Sequence, residues 1–355
     1  MKIGQKTMSG IVLHTHGGPD NLQHHDRINI PIIDKNEILI NIKYCGINHL
    51  DLWLRKGGTG DRLSLPRIPG SDIVGKVIDK GEHVAHLEVG DYVVVYPGRG
   101  CGKCNACISG RETLCKDFEI LGYHFDGGYT EYIAVDSKRA FKISEEDIEN
   151  WSAVPVAYVT AWNALVTKGN LSVNDTVVIW GASGGLGYAA LSIVKGIGAK
   201  AIGIVGDESK IQFLKKQGFD DFHFITRNDD VAKKVRELTG KQGADLVLDH
   251  VGSKTFQVSL RMLKRGGHLA FCGVTTGPFA EVDLRLIFGK QITIAGSWMG
   301  DLQDFAEVVK FLEAKKLFPH IDKVFTIQEA ASAHRYMESE KHIGKIVLVN
   351  SLFGK

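Results

Sequence analysis

Long apolar runs are missing from this sequence. No run approaches the roughly 18 residues of a membrane-spanning helix, and the opening segment MKIGQKTMSG leads into no secretory apolar stretch. A dominant charge sign is missing as well, because 43 Lys and Arg residues face 41 Asp and Glu residues. A net charge of +2 gives no bulk attraction to nucleic acid or to an anionic membrane. We therefore expect a cytoplasmic protein that binds neither.

Proline is scarce and glycine abundant, with 8 and 41 residues among 355. This balance favours tight strand-to-helix turns over extended linkers. The composition, with 44% hydrophobic and 24% charged residues, is typical of a globular chain and excludes disorder, collagen and coiled coil. The length exceeds that of a typical domain and predicts two domains.

From Asp175 onward, short apolar runs alternate with segments of helical length. Nearly continuous apolar runs are typical of strands covered on both faces, and they predict strands at Thr176–Trp180, Ala201–Val205, Asp221–Ile225, Asp245–Val251, His268–Val274 and Gln291–Trp298. Apolar residues at three- and four-residue intervals predict crossover helices at Gly185–Ile197, Ser209–Gln217, Asp229–Leu238 and Thr255–Leu263. This part predicts a doubly wound parallel sheet of the α/β class.

The region before about residue 155 follows a different pattern. Short alternating strands such as Glu37–Tyr44, Ile73–Asp79 and Tyr92–Tyr96 are broken by Gly and Pro, which predicts a mostly antiparallel β domain. After the last predicted parallel strand, a helix over Asp304–Ala314 precedes a strand over Lys345–Val349. We expect that last strand to return to the first domain.

A glycine-rich loop follows the first predicted parallel strand and opens a helix. Its residues are Gly181, Ala182, Ser183, Gly184, Gly185, Leu186 and Gly187. Glycines let the backbone approach a pyrophosphate, whose charge is stabilised by free N–H groups and the helix dipole. The strict G-x-G-x-x-G spacing is not met, so a plain tight connection is the alternative. The order of strand, loop, helix and second strand favours a dinucleotide cofactor.

The end of the second parallel strand bears on which dinucleotide binds. An acid at the strand tip would accept hydrogen bonds from the ribose and repel a 2′-phosphate, but the tip residue is Val205. Gly206 leaves room beside the ribose, and Ser209 and Lys210 can meet a phosphate. Asp207 and Glu208 are interpreted as first-turn helix acids. This pattern favours NADP(H), with NAD(H) as the alternative.

Four of the six cysteines form the pattern Cys101-x2-Cys104-x2-Cys107-x7-Cys115. Thiolates this close cannot easily pair as strain-free disulfides but can surround one tetrahedral zinc at about 2.3 Å per bond. An iron–sulfur cluster is the alternative. Because sulfur fills all four positions, the zinc would be structural. Cys45 and Cys272 are interpreted as buried apolar thiols.

Together these motifs resemble the medium-chain dehydrogenase/reductase superfamily, which contains zinc alcohol dehydrogenases and quinone or enoyl reductases. The resemblance covers essentially the whole chain and also includes Gly70–Gly75, Val89–Val93 and the helix entry from Pro155 to Thr160. It implies an α/β protein with a GroES-like, partly open β-barrel catalytic domain and a Rossmann coenzyme domain, with the active site in the cleft between them.

The resemblance also implies domain boundaries and an assembly. The catalytic domain would cover residues 1–155, with a structural zinc lobe at about 98–118. The Rossmann domain would cover 156–300, and residues 301–355 would return to the catalytic domain. A homodimer or homotetramer, often paired through the last coenzyme-domain strand, is usual in this superfamily.

Departures from the superfamily pattern indicate the chemistry. Zinc alcohol dehydrogenases hold a catalytic zinc with a cysteine two residues after Gly46, a histidine after Gly70 and a cysteine after Pro155. Here these positions carry Asn48, Ser71 and Val156. Valine cannot ligate zinc, and an amide and a hydroxyl are poor substitutes for thiolate and imidazole. We therefore expect no catalytic zinc.

The resemblance also points to candidate site residues. Asn48 would donate its amide to a substrate carbonyl or to the nicotinamide ribose, and His49 would supply a proton or a donor near an enolate. Thr160 would contact the coenzyme, together with Gly181, Ser183, Gly184, Gly185, Leu186, Gly187, Gly206, Ser209 and Lys210. Structural roles are expected for Asp51, Ser71 and Asp72, and the pair His24 and His25 is interpreted as surface residues.

Without a metal to stabilise an alkoxide, reduction of a carbonyl-conjugated double bond is favoured over alcohol oxidation. The leading hypothesis is an NADPH-dependent reductase of an enoyl-CoA such as acryloyl- or crotonyl-CoA, an enone or a quinone. One alternative is an alcohol dehydrogenase with an unorthodox second zinc held by Cys45, His49 or Asp72. Another is a non-catalytic NADPH-binding protein.

Overall fold

A computed structural model of the chain describes residues 6–58, 60, 63–315, 317, 319–351 and 353. Residues 1–5, at the start of the segment considered above for a secretory signal, lie outside this part. The described chain forms two compact units. The first takes its residues from Met1–Val156, Asp301–Val309 and His320–Lys355, and the second from Ala157–Gly300 and Lys310–Pro319. The domain boundaries implied by the resemblance remain predictions beside this division.

The first unit is mostly antiparallel β-structure. Its central strand, Glu37–Gly46, pairs on one side with Asp72–Lys80 and on the other with Tyr132–Asp136 and then Lys345–Val349. The C-terminal strand thus joins the first sheet, as predicted. The described strands of this unit are Thr7–Leu13, Leu22–Asn29, Glu37–Gly46, Asp72–Lys80, Tyr92–Val95, Gly98–Arg99, Glu119–Ile120, Tyr132–Asp136, Ala140–Lys142, Ile321–Thr326 and Lys345–Val349.

Strand register in the first unit brings distant residues to one end of the sheet. Gly46 lies opposite Asp72 on one neighbouring strand and opposite Val347 on the other. The chain then leaves the strand at Ile47 and enters the helix His49–Lys56. Asn48, Asp72 and Lys345 are therefore neighbours, although they are far apart in the sequence. The register of this antiparallel sheet is set by the buried face of the central strand, where Ile38, Ile40 and Ile42 are all buried.

The second unit contains a six-stranded parallel sheet. Its strands run across the sheet in the order His223–Thr226, Lys200–Val205, Thr176–Ile179, Ala244–Asp249, Leu263–Phe271 and Thr293–Gly296. This order, third, second, first, fourth, fifth and sixth along the chain, is that of a dinucleotide-binding Rossmann sheet. The predicted α/β class, with a GroES-like unit and a Rossmann unit, is therefore confirmed.

Helices cover the parallel sheet and bury its apolar faces. Val235 and Leu260 from two of these helices pack in one core with Val178, Val247 and Leu269 from the strands. Across the described chain, the α-helices are His49–Lys56, Asn105–Ile108, Ile148–Trp151, Pro155–Trp162, Gly185–Ile197, Glu208–Leu214, Val231–Leu238, Phe256–Met262, Leu284–Lys290, Leu302–Lys315 and Ala330–Glu338.

Several predicted elements of the second unit differ in their bounds from the observed ones; the last strand, for example, covers Thr293–Gly296 rather than Gln291–Trp298. The fifth strand covers Leu263–Phe271 rather than His268–Val274, since after Phe271 the chain turns and Cys272 N donates to Asp249 O. The second crossover helix starts at Glu208, because Asp207 caps it, and ends at Leu214, followed by a π-helical turn at Lys215–Phe219. Within the described residues, every helix is too short or too polar to cross a membrane.

Candidate functional site

The glycine-rich loop connects the first parallel strand to the helix Gly185–Ile197. Gly181 has a φ of 57°, which favours glycine, and a methyl group on Gly187 would lie 2.2 Å from the carbonyl oxygen of Gly181. Gly184 is the N-cap residue and offers no side chain to the first backbone N–H groups of the helix. These N–H groups have no intrahelical acceptor and can bind an anion. The loop therefore fits a pyrophosphate, although its individual contacts remain predictions.

Beside the second strand, Asp207 turns its carboxylate into its own helix. It accepts hydrogen bonds from Ser209 Oγ at 2.5 Å and Lys210 N at 3.2 Å, and the Ser209 hydroxyl lowers the pKa of this carboxyl. Asp207 is thus the N-cap residue of its helix, and Glu208 is the acid in the first turn. Apart from the two chain neighbours of Gly206, no described residue lies within 4 Å of the Cβ position that a side chain on Gly206 would occupy, so this position has open space.

Sequence reasoning missed a basic residue at this end of the sheet. Arg227 follows the third strand, and its backbone N–H donates to Val205 O at 2.8 Å. Neighbouring parallel strands end at the same edge of a sheet. A search for the first basic residue after the predicted third strand would have found Arg227 in the sequence.

Thr160 lies in a buried part of the second unit. Its Oγ1 is 3.9 Å from Met299 Sδ, and Asn163 Nδ2 donates to Met299 O at 2.8 Å. Met299 has a φ of 54°, which is uncommon for a side chain of this kind. Nearby in sequence, the hydroxyl of Ser297 is buried without a hydrogen-bond partner among the described residues. Ser297 is a second residue that sequence reasoning missed, while coenzyme contact by Thr160 stays a prediction.

The four clustered cysteines meet in one small lobe of the first unit. The sulfur atoms of Cys101, Cys104, Cys107 and Cys115 all lie within 4.8 Å of one another. Backbone N–H groups of Lys103 and Cys104 lower the pKa of the Cys101 thiol to about 6, whereas burial raises the pKa of the Cys107 thiol to about 12. Four sulfur ligands at this separation fit a structural zinc. Among the described residues, this is the one cluster of three or more Cys, His, Asp or Glu side chains placed to hold a metal ion.

In this chain, the residues at the three positions that hold a catalytic zinc in zinc alcohol dehydrogenases make other contacts. Ser71 is fully buried, and its hydroxyl donates to Leu121 O at 2.6 Å. Val156 contributes its backbone N–H, which donates to Asp72 Oδ1 at 2.8 Å. Both hydrogen bonds lie within the first unit. Ser71 and Val156 thus take part in a hydrogen-bonded core at this place.

Lys345 lies at the centre of this core. Its ammonium donates to Ile47 O at 2.8 Å, to Asn48 Oδ1 at 2.6 Å and to Asp72 Oδ2 at 3.0 Å. Lys345 is 3% exposed, Asp72 is 0% exposed and Asn48 is 8% exposed. The other side-chain atom of Asn48, Nδ2, is buried without a partner among the described residues. Sequence reasoning missed Lys345, because no residue next to it in the chain indicates that it contacts Asn48.

Asp51 fixes the backbone at Asn48 by a hydrogen bond. Its carboxylate accepts from Asn48 N at 2.8 Å and from Gly70 N at 3.0 Å. Burial raises the pKa of Asp51 to about 7, partly opposed by these hydrogen bonds. Burial, and after it the charge of this carboxylate, raise the pKa of the Tyr129 hydroxyl well above its usual value. The structural role expected of Asp51 is confirmed.

His49 is placed differently from Asn48. It is the first residue of the helix His49–Lys56 and is exposed, with its ring centroid 6.5 Å from that of Trp53. An exposed imidazole can exchange protons with solvent. Its catalytic role stays a prediction. Of the two other histidines considered, His24 is exposed and lies 3.4 Å from Asp26, and His25 Nε2 lies 3.0 Å from His14 Nε2.

Comparisons with known proteins agree with this architecture. Residues 34–145 match the family described as alcohol dehydrogenase GroES-like domain, and residues 185–314 match the family described as zinc-binding dehydrogenase. A relative named NAD-dependent alcohol dehydrogenase, from Sulfolobus acidocaldarius, is 32% identical over 351 residues, covering 96% of this chain and 99% of that protein.

Solved structures give the same result. A crystal structure of an NAD-dependent alcohol dehydrogenase has a TM-score of 0.91 and 33% identity, covering 96% of this chain and 99% of that one. A crotonyl-CoA carboxylase/reductase has a TM-score of 0.88 and 25% identity, covering 97% of this chain and 88% of that one. The chain therefore belongs to the medium-chain dehydrogenase/reductase superfamily and is an NAD(P)-dependent oxidoreductase.

Proposed function

We propose that this enzyme reduces a carbonyl-conjugated carbon–carbon double bond with NADPH, without a catalytic zinc. The observation that carries the proposal is the set of side chains at the three expected ligand positions. Asn48, Ser71 and Val156 lie in a hydrogen-bonded core, and Asn48 Nδ2 is a buried donor that no described residue satisfies. A buried donor without a partner costs about 1–3 kcal/mol. A substrate oxygen that accepts from it would remove that cost.

The reaction needs a place for negative charge. When bound, the reduced nicotinamide supplies a hydride that bonds to the β-carbon, while the double-bond electrons move onto the carbonyl oxygen. Asn48 Nδ2–H would donate to this oxygen and stabilise the enolate. A proton from solvent water, carried by the exposed His49, would then bond to the α-carbon and restore the carbonyl. Enoyl thioesters, enones and quinones all offer such an oxygen.

The residues at the tip of the second strand of the parallel sheet support NADPH rather than NADH as the coenzyme. The carboxylate of Asp207 bonds within its own helix, and Gly206 leaves open space at the tip. Ser209 and Lys210 follow directly, and Arg227 is joined to Val205 through its backbone. Basic and hydroxyl side chains suit a 2′-phosphate, whereas a free acid at the tip would repel it.

A second candidate is an alcohol dehydrogenase with an unorthodox zinc site, which the names of the relatives favour. Its ligands would be Cys45, His49 or Asp72. Among the described residues, Cys45, His49 and Asp72 do not form a cluster placed to hold a metal ion. Asp72 already accepts from Lys345 and from Val156. The crotonyl-CoA carboxylase/reductase likeness supports the first candidate.

Two measurements separate the candidates. The first is NADPH oxidation with acryloyl-CoA, crotonyl-CoA, a quinone and a simple enone, beside NAD reduction with primary and secondary alcohols. The second is the zinc content of the purified enzyme. The proposal expects turnover of a conjugated carbonyl compound and about one zinc per chain. Alcohol oxidation with about two zinc ions per chain would overturn it, and coenzyme binding without any turnover would favour a non-catalytic role.

We also propose that the chain forms a homodimer or homotetramer through the last strand of the parallel sheet. Thr293–Gly296 is an edge strand, and edges offer unpaired backbone groups to another chain. Large apolar side chains of the second unit are exposed, including Phe279, Leu284, Phe288 and Trp298. Light scattering of the wild type and of an Ile294→Lys variant tests this, since a charge on the edge should yield monomers.

The proposed location is the cytoplasm. All six cysteines are free thiols in the structure, and four of them form the zinc cluster. A reducing compartment keeps such thiols available to a metal. Fractionation of cells that express the chain, with the enzyme found in the soluble cell interior, is the expected result.

A further inference from the structure

The carboxamide of Asn48 is held in one of its two possible orientations. An amide side chain has an acceptor oxygen at one position and a donor NH2 group at the other. The ammonium of Lys345 can only donate, so Asn48 must turn Oδ1 toward it, at 2.6 Å. Nδ2 then faces away from Lys345, where it is buried without a partner among the described residues.

Lys345 is itself fixed and has no donor left for a substrate. Its three ammonium hydrogens correspond to three acceptors, which are Ile47 O, Asn48 Oδ1 and Asp72 Oδ2. Its charge is paired with the buried carboxylate of Asp72. Lys345 therefore cannot act on a substrate oxygen directly and can reach it only through Asn48.

We propose that Lys345 is a positioning residue, which orients Asn48 so that its NH2 group points toward the carbonyl oxygen of the substrate. This inference rests on the proposed function of Asn48 as the donor to that oxygen. With a neutral apolar side chain at position 345, Oδ1 keeps only its capping-box contact with the backbone of Asp51. The amide can then turn over and present Oδ1, an acceptor that repels the developing negative charge. The positioning effect thus appears in the chemical step and not in coenzyme binding.

The test compares Lys345→Met with Asn48→Ala and with the double variant. Removing one preorganised donor from an oxyanion site slows kcat by about 100- to 1,000-fold. We expect Lys345→Met to lower kcat with crotonyl-CoA and NADPH by about 100-fold, with the KM for NADPH changed less than threefold. Because both changes remove the same donor, the double variant should be no slower than Asn48→Ala alone.

Lys290 provides a matched control. Its ammonium also donates to three acceptors, the carbonyl oxygens of Leu260, Arg261 and Leu263, but it lies in the second unit. Lys290→Met should lower the melting temperature without lowering kcat by more than about twofold. Equal effects of the two lysine variants on kcat, or additive effects of Lys345→Met and Asn48→Ala, would overturn the positioning role.

A measurement on the wild-type enzyme covers the case in which Lys345→Met does not fold. The side-chain NH2 signals of Asn48, assigned by their loss in Asn48→Asp, should shift when butyryl-CoA binds. Unshifted signals under saturating butyryl-CoA would contradict the inference.

Failure of the proposed function is a separate result. If the wild type oxidises alcohols with NAD and reduces no conjugated carbonyl compound, the proposed reaction is wrong. The same set of variants is then measured in the alcohol assay. Non-additive loss of kcat there would support Lys345 as the residue that positions Asn48, and additive loss would overturn that role as well.

Discussion

The hydroxyl of Tyr129 lies 3.1 Å from Nε2 of His334, although 205 positions separate the two residues in the chain. On the other side of the ring, Arg55 Nε donates to His334 Nδ1 at 3.4 Å. Burial, together with the Arg55 charge, lowers the pKa of His334 to about 3, so the ring is neutral and carries its proton on Nε2. His334 therefore donates its Nε2–H to the hydroxyl oxygen of Tyr129.

Removing the Tyr129 hydroxyl should destabilise the first unit. Tyr129→Phe leaves the buried Nε2–H of His334 without its acceptor, and such a loss costs about 1–3 kcal/mol. We expect the free energy of unfolding, measured by urea denaturation, to fall by about 1–3 kcal/mol. Tyr44→Phe, which removes a half-buried hydroxyl, is the control. A fall of the same size in both variants would contradict this network.

The pH dependence of stability should report on Asp51. Its pKa is raised by burial to about 7 in the folded chain, against about 3.9 in an unfolded chain. A raised pKa means that the folded state binds the proton more tightly. The stability gained in this way is complete below about pH 4 and is lost as the pH rises through 7.

An Asp51→Asn variant removes this titration. It also leaves Asn48 N or Gly70 N without its carboxylate oxygen, which is a loss that does not depend on pH. We expect the stability difference, wild type minus variant, to decrease by up to about 4 kcal/mol between pH 4 and pH 8. Urea unfolding at several pH values measures it, and a constant difference would show that Asp51 does not titrate in this range.

Local patterns predicted the parts of the molecule that neighbouring residues determine. The helix Gly185–Ile197 and the strand Lys345–Val349 have the bounds that their periodicity predicts. The cysteine spacing predicted the four-sulfur cluster, because short loops bring the ligands together. Within the described chain, the resemblance identified Asn48 as well, since it lies in a recognisable segment.

Contacts that depend on strand register were not predictable in the same way. Lys345 donates to Asn48 over a separation of 297 residues, because Val347 pairs with Gly46 in the sheet. Nothing in the residues next to Lys345 indicates this pairing. The partner of Tyr129 is hidden because His334 lies on the helix Ala330–Glu338, 205 positions further along the chain. Sequence patterns alone therefore suggested Asn48 as a donor but not which residue orients it.

Loss of the metal from the zinc lobe should lower the stability of the protein before it affects catalysis. Cys104→Ser removes one of four sulfur ligands, and the metal content should fall from about one zinc per chain to nearly none. Thr113 in this lobe bonds to Asp301 through its N–H and its hydroxyl, both at 2.8 Å, so the loss should spread beyond the lobe. We expect the melting temperature to fall by at least about 5 °C.

The control for the zinc lobe is Ser109→Ala, an exposed change in the same lobe that should keep both the metal and the melting temperature. Metal analysis by mass spectrometry and thermal melting measure the two effects. Iron with visible absorbance in place of zinc would show that the cluster holds iron and sulfur.

An acid at the open tip of the second strand should change the coenzyme preference. In Gly206→Asp, the new Cβ has no described residue within 4 Å other than its chain neighbours, so the fold should be retained. Its charge would repel a 2′-phosphate and accept hydrogen bonds from the ribose of NADH. A repulsion of about 1.4 kcal/mol corresponds to tenfold weaker binding. We therefore expect the KM for NADPH to rise about tenfold, while the KM for NADH stays equal or falls.

Asp207→Asn is the matched variant for this experiment. Because the Asp207 carboxylate bonds to Ser209 and Lys210 in its own helix, its loss should change the KM for both coenzymes by the same factor. Steady-state kinetics with NADPH and NADH measure the two ratios. If Asp207→Asn selectively weakened NADH, Asp207 would be a ribose ligand, and the preference for NADPH that follows from Gly206 would be wrong.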